Sequence, residues 1–222
     1  MARLARVVLP GYPHHIIQRG NRRQDVFFKT SDYEYYLELL KEECAQEKIE
    51  IWAYCLMTNH VHLIVNPKKT SNLGRAIGEV HRRYTRMINV RENWKGYLWQ
   101  GRFSSYPMDK NWLLKAAAYV ELNPVKAGMV KKAWDYRWSS VHAHISGEDK
   151  HGIIQPEKLL SLAGDWKNYL QESQGLQIDE FEKHERTGRP LGTEKFIEKA
   201  ERLLHRELKK KKPGPKVDGV DN

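Results

Sequence analysis

Two histidines separated by one residue, His60-Val61-His62, are the first place to look for chemistry. On a strand, residues i and i+2 project from the same face, so both imidazoles can reach one metal ion. An isolated pair of this kind also occurs as two polar residues on the exposed face of a hairpin strand. A second constellation is Tyr119 with Asn123, four residues apart and so one helical turn apart on one face. A tyrosine is a competent covalent nucleophile, and phosphoryl transfer suits it when a cation offsets charge on the phosphate oxygens. Most helical tyrosines only pack, but Ala116 to Ala118 are small and would let a backbone or substrate come close. Lys115, one turn before Tyr119, could favour the phenolate, although a solvated helix lysine is the commoner case. The third feature is the Arg19-Gly20-Asn21-Arg22 turn, whose amides and guanidinium groups suit a phosphate or a splayed base. The same residues also make an ordinary hairpin turn. His142, His144 and His151 have no partner motif, which leaves a multi-histidine hydrolase site unsupported.

The elements that must position these groups follow from periodicity. Residues 14–19 (HHIIQR) read as a strand ending at the Gly20-Asn21 turn. Ser31 is a natural N-cap, and Tyr35, Leu39 and Leu40 recur at helical spacing, which predicts a helix over 32–48. Residues 49–57 (IEIWAYCLM) and 60–66 (HVHLIVN) read as a hairpin turning at Thr58-Asn59. A long helix is expected over 72–91 and a strand within 97–107. Asp109 caps a helix over 112–122 that the Asn123-Pro124 dipeptide should stop. The pattern is α+β, an antiparallel sheet with helices on one face. Beyond Gly128 the texture changes, with a short helix within 134–146 and further short helices after 156. The expected division is a domain over 1–130, a helical extension over 131–208 that could bind DNA, and a disordered basic tail over 209–222.

Lysine and arginine number 38 against 28 acidic residues, a net charge of +10, which makes nucleic acid the first partner to test. The charge is clustered. Arg19 and Arg22 lie in a first block; Arg82, Arg83, Arg86 and Arg102 in a second; Lys209, Lys210, Lys211 and Lys212 in a third. Separated blocks interleaved with aromatics suit a phosphate backbone. A hydrophobic fraction of 40% excludes wholesale disorder, while 30% charged residues and no long apolar run exclude a membrane-embedded chain. With two cysteines, Cys44 and Cys55, and no secretory apolar stretch near residue 1, reduced thiols in the cytoplasm are expected.

Four stretches together carry a resemblance: HHIIQRGNRRQDVFF, YCLMTNHVHLIVNP, LWQGRFSS and AAYVELNPVKAGMV. In this order and spacing, over residues 8–145, they resemble the REP-associated tyrosine transposases, relatives of the IS200-like, single-tyrosine HUH transposases. The segment RTGRPLG and the helix after it are similar to the basic tail that such proteins often carry. The resemblance implies a ferredoxin-like α+β domain whose central strand carries the HUH pair. It implies that His60 and His62 ligate a metal, that Asn123 is a third, polar ligand, and that Tyr119 is the nucleophile. Such a donor set suits Mg²⁺ or Mn²⁺ better than a closed structural zinc site. The implied substrate is single-stranded DNA folded as a hairpin, a repetitive extragenic palindrome with a single-stranded flank, cut and rejoined through a 5′-phosphotyrosine link. Arg19, Gly20, Asn21, Arg22, the helix 72–91, Arg102 and the tail lysines are the candidate DNA contacts, in a nucleoid-associated cytoplasmic protein. A non-catalytic hairpin-binding regulator descended from a transposase is the alternative, and monomer and homodimer both stay open.

Overall fold

The computed structural model describes residues 5–69, 71–175 and 179–209. Its centre is a four-stranded antiparallel sheet of β1 (His14–Arg19), β2 (Ile49–Met57), β3 (His60–Pro67) and β4 (Ser104–Pro107), in the order β2-β3-β1-β4. With α1 (Thr30–Gln46) between β1 and β2 and α2 (Leu73–Arg91) between β3 and β4, this is the expected βαββαβ ferredoxin-like arrangement. The expected 97–107 strand is shorter. Only Ser104–Pro107 pairs along β1, and Trp99 makes an isolated bridge to Gly20.

Strand alternation sorts the interior into two cores, one on each face of the sheet. Val61, Leu63 and Val65 of β3 face α1 and α2, whereas His62 and Ile64 face the opposite side. A bulge between Ile51 and Ala53 shifts the register of β2, so Ile51, Tyr54 and Leu56 stay with the first core while Ala53, Cys55 and Met57 join the second. Helices therefore cover both faces, not one. The second face takes α3 (Lys110–Lys126), then α4 (Val141–Ser146), α5 (Glu157–Ala163), α6 (Trp166–Glu172) and α7 (Asp179–Thr187). Residues 138–140 bond along the edge of β2 through Leu56 N→Trp138 O and Ser140 N→Tyr54 O.

Two helix ends differ from expectation. Helix α1 opens at Thr30 because the Asp32 carboxylate accepts from the Phe28 and Lys29 amides at 2.9 and 3.0 Å, and so does the capping expected of Ser31. Helix α3 runs through Pro124 to Lys126 instead of stopping at Asn123. Proline removes the N–H that would reach the Val120 carbonyl. The Asn123 carboxamide fills part of that gap, its Nδ2 donating to Tyr119 O at 2.7 Å and Val120 O at 3.5 Å. The middle of α3 is fixed by buried Glu121, which accepts from Trp166 Nε1 and pairs with His144 Nδ1, both at 2.7 Å.

A third, small core joins the two ends of the described chain. Val7 and Leu9 pack with Phe196 and Ala200 of α8 (Glu194–Leu204) and with Leu208, and Arg206 donates to the Ala5 carbonyl.

Candidate active site

Strand β3 carries His60 and His62 on its α3-facing side, with ring centroids 4.9 Å apart and the rings edge-on. His62 is 2% exposed and His60 half-buried at the mouth of the strand. Each ring has its Nδ1 held: His60 by Asn59 Oδ1 at 2.6 Å, His62 by His15 Nε2 at 3.0 Å. His15 lies one strand over, on β1, and its own Nδ1 meets the Tyr106 hydroxyl at 2.7 Å. The register explains the set: Arg19 pairs with His60 and Ile17 with His62, so His15 sits diagonally from His62 on the same face. Burial holds His15 and His60 down to about 3, and the His62 imidazole well below its usual range, with nearby Arg19 adding to the effect on His60 and His62. All three rings are neutral at pH 7, which is the metal-binding form of histidine.

Helix α3 brings Tyr119 to this face. Its ring lies edge-on to His62 at 5.9 Å and to His15 at 6.1 Å. The lysine against that ring is Lys126, with Nζ 4.5 Å from its centroid, whereas Lys115 turns to Trp112 at 5.1 Å. Helix α7 lies across the same surface: Phe181 packs on Tyr119 at 4.9 Å, His184 tilts against Tyr106 at 5.8 Å, and Ser104 Oγ donates to the Glu185 carbonyl. Burial raises the Tyr119 phenol, the Glu185 and Glu182 carboxylates raise it further, and Arg19 pulls it back down. Glu185 is itself raised by burial, with Arg19 opposing.

His60, His62 and Asn123 carry donor atoms of the kind a hard divalent cation could take. Two neutral imidazoles with their Nδ1 atoms held present Nε2 on one face. The Asn123 amide nitrogen is engaged by backbone carbonyls, so its oxygen is the end left for a cation. No group of three or more His, Cys, Asp or Glu side chains that could hold a metal ion occurs among the described residues.

The remaining candidates fall into two groups. Arg19 and the turn after it adjoin the histidine pair: Gly20 N donates to Asn59 O at 2.8 Å and Asn21 N to Leu98 O at 2.8 Å. A Cβ on Gly20 would lie 2.2 Å from Gln24 O, so only glycine fits there. Arg22 and Arg23, both exposed, adopt left-handed backbone conformations (φ 54° and 62°). By contrast, Arg82 is engaged by Glu79, Arg83 by Glu42 and Glu43, and Lys209 by Glu194 and Glu198. Arg86 and Arg102 are exposed. Lys210, Lys211 and Lys212, with the expected disordered tail beyond Lys209, lie outside the described residues. Sequence reasoning missed His15, Tyr106, Phe181, Glu185 and Lys126. Only His15 left a signal, since it alternates with Ile17 on a strand that could pair with HVH.

Comparison with known proteins bears on the fold and the family. A curated protein of Haemophilus influenzae, described as a REP-associated tyrosine transposase, is 28% identical over 119 residues, covering 49% of this chain and 68% of that protein. The solved structure of a REP-associated tyrosine transposase bound to a REP hairpin matches with a TM-score of 0.58 at 21% identity, over 66% of this chain and 86% of that one, and shares the fold. The sequence profile of the IS200-like transposases spans residues 10–123, from the approach to β1 through the tyrosine to Asn123, and the chain belongs to that family.

Proposed function

We propose that the protein is a metal-dependent, REP-associated tyrosine transposase that cuts and rejoins single-stranded DNA beside a hairpin. The observation that supports this most is the meeting of Tyr119 with the His60–His62 pair, at 5.9 Å from His62, on one face of the sheet. Two similar proteins are described as REP-associated, one of them bound to a REP hairpin, and the net charge of +10 suits the same partner.

In this reading the Tyr119 oxygen attacks the scissile phosphorus, a 5′-phosphotyrosine bond forms, and the 3′ oxygen leaves as a hydroxyl. The bond energy is kept in the protein–DNA link, so attack by another 3′-hydroxyl releases the tyrosine and joins the strands. His60, His62 and the Asn123 carboxamide oxygen would hold Mg²⁺ or Mn²⁺, which when bound polarises a phosphate oxygen and balances developing charge. Lys126 and Arg19 are the positive groups of the chain placed to favour the phenolate. Arg19, paired across the strands with His60, also stands where phosphate would enter. Such a protein works in the cytoplasm, on the nucleoid.

The test is Tyr119→Phe on a labelled hairpin oligonucleotide with a single-stranded extension, in Mn²⁺ or Mg²⁺. Wild type should become covalently attached to the labelled strand and the variant should not. Equal cutting by the variant would remove Tyr119 as nucleophile. One feature favours the alternative of a hairpin-binding regulator: Phe181 and two carboxylates of α7 stand over the phenol. Tight hairpin binding by the wild type without any covalent adduct would select it.

A further inference from the structure

Of the eight large hydrophobic side chains exposed among the described residues, four gather at the C-terminal end of α2 and the segment beside it. They are Phe28, Val90, Trp94 and Tyr97, at 43%, 76%, 45% and 86% exposure. Phe28 and Trp94 touch edge-to-face with centroids 5.6 Å apart. Their exposure does not come from a loose loop. Trp94 N bonds Asn89 O at 2.8 Å, and Asn89 Nδ2 bonds Gly96 O at 3.0 Å. Asn93 takes a left-handed conformation (φ 53°) to make the turn, and Leu98 is buried at its end.

The charge around this patch is equally distinctive. Arg22, Arg23, Lys29, Arg86 and Lys95 are exposed, and none has an ion-pair partner among the described residues. The other arginines of α2, Arg75, Arg82, Arg83 and Arg91, are all paired with carboxylates. Of the acids beside the patch, Asp32 is buried and paired with Arg91, Glu92 pairs with the same arginine, and Asp25 is the exposed acid of the 20–30 segment. Two consecutive arginines in left-handed backbone are uncommon for residues with a Cβ. The turn that enforces them is closed by Arg23 N→Gly20 O and Gln24 N→Asn21 O, both at 3.0 Å.

A continuous ladder of bonds connects the patch to the histidine pair. Leu98 O, adjoining Tyr97, accepts from Asn21 N at 2.8 Å and Gln24 Nε2 at 3.4 Å. Arg23 O accepts from Asn59 Nδ2 at 3.1 Å, and Asn59 Oδ1 holds His60 Nδ1. Aromatic faces set beside unpaired guanidinium and ammonium groups are the composition of a single-strand platform, where bases stack and the backbone is tracked by charge.

We propose that Phe28, Trp94 and Tyr97, edged by Arg22, Arg23 and Lys95, form a stacking platform for the single-stranded flank of the DNA, aligning the strand before it reaches His60. The proposal rests on DNA being the substrate, but not on cleavage. Flat aromatic faces accept any base, so the platform holds the flank without choosing its sequence. Selection is then left to groups nearer the turn.

The test measures binding in EDTA, where no cutting intervenes, by fluorescence anisotropy of a labelled hairpin with and without a flank of about ten thymidylates. The flank should tighten wild-type binding. Trp94→Ala with Tyr97→Ala should abolish that gain, weakening flanked-hairpin binding about tenfold or more while leaving the bare hairpin unchanged. Tyr97→Phe, which keeps the ring, should retain it. Equal affinity of wild type and double variant for the flanked hairpin would overturn the platform while leaving the nuclease reading intact. Conversely, loss of the flank effect in the double variant alongside a wild type that forms no covalent adduct in Mn²⁺ or Mg²⁺ would sustain the platform and remove the nuclease reading. A concentration-dependent dimer that Tyr97→Ala dissolves would overturn the proposal and assign the patch to a second copy of the chain.

Discussion

For His62 to offer Nε2 to a cation, its hydrogen must sit on Nδ1 and be donated to His15 Nε2. His15 must then carry its own hydrogen on Nδ1 and donate it to the Tyr106 oxygen. The reverse arrangement of the same three groups would put a hydrogen on His62 Nε2 and close the site. His15 is thus a positioning residue for His62. Replacing it with leucine should weaken Mn²⁺ binding about tenfold or more, as losses of such outer partners do. Glutamine, whose amide oxygen can stand near the place of Nε2, should recover most of it. Titration of free Mn²⁺ by electron paramagnetic resonance reads this without DNA, and equal affinity for His15→Leu would dismiss the relay. The histidine pair was legible from period two alone. His15 was not, because its role depends on a β1–β3 register that brings together residues 47 positions apart.

Among the elements, α7 bears most directly on reactivity. Burial and the Glu185 and Glu182 carboxylates all push the Tyr119 phenol upward. Removing those charges with Glu182→Gln and Glu185→Gln must lower it, so the rising limb of a single-turnover pH–rate profile should move to lower pH and the rate at neutral pH should rise a few-fold. Superimposable profiles would show that the carboxylates do not act on the phenol. Nothing local in DEFEKHERT marks this helix as an active-site neighbour, since one aromatic among charges reads as a solvated surface helix. The end of α3 differs for a local reason: a proline after asparagine ends most helices, and here the Asn123 carboxamide, turned back to the Tyr119 and Val120 carbonyls, makes up part of the lost bonding. Where a pattern is intrinsic to one segment, as in β3 or α2, sequence and structure agree closely.

At the scale of the whole molecule, the buried histidines set an acid limit. Burial lowers His14 to about 4 and His15 and His81 to about 3, although a bond to the Tyr12 carbonyl works the other way at His14. The unfolded chain takes up protons on these side chains below about pH 6.5, while the folded chain does not. Their contribution is therefore complete above that pH and is lost as pH falls toward the folded values. One unit below, the three together should cost about 4 kcal/mol, a large share of a typical domain's stability. Calorimetry should show the melting temperature dropping steeply from about pH 6.5 to 5, with protons taken up on unfolding. A flat melting temperature across that interval would contradict the neutral, buried state of these rings.

The small core that joins Val7 and Leu9 to Phe196 and Leu208 has a consequence in time. A contact such as Arg206 to Ala5 spans 201 positions of sequence. While a ribosome is still making the chain, the sheet and its first two helices can close early, yet Val7 and Leu9, leading into β1, pack with side chains of α8 that emerge much later. Val7 and Leu9 are thus made before the sheet yet sheltered after it, and a chaperone that binds exposed leucine and valine on a nascent chain would find a long opening there.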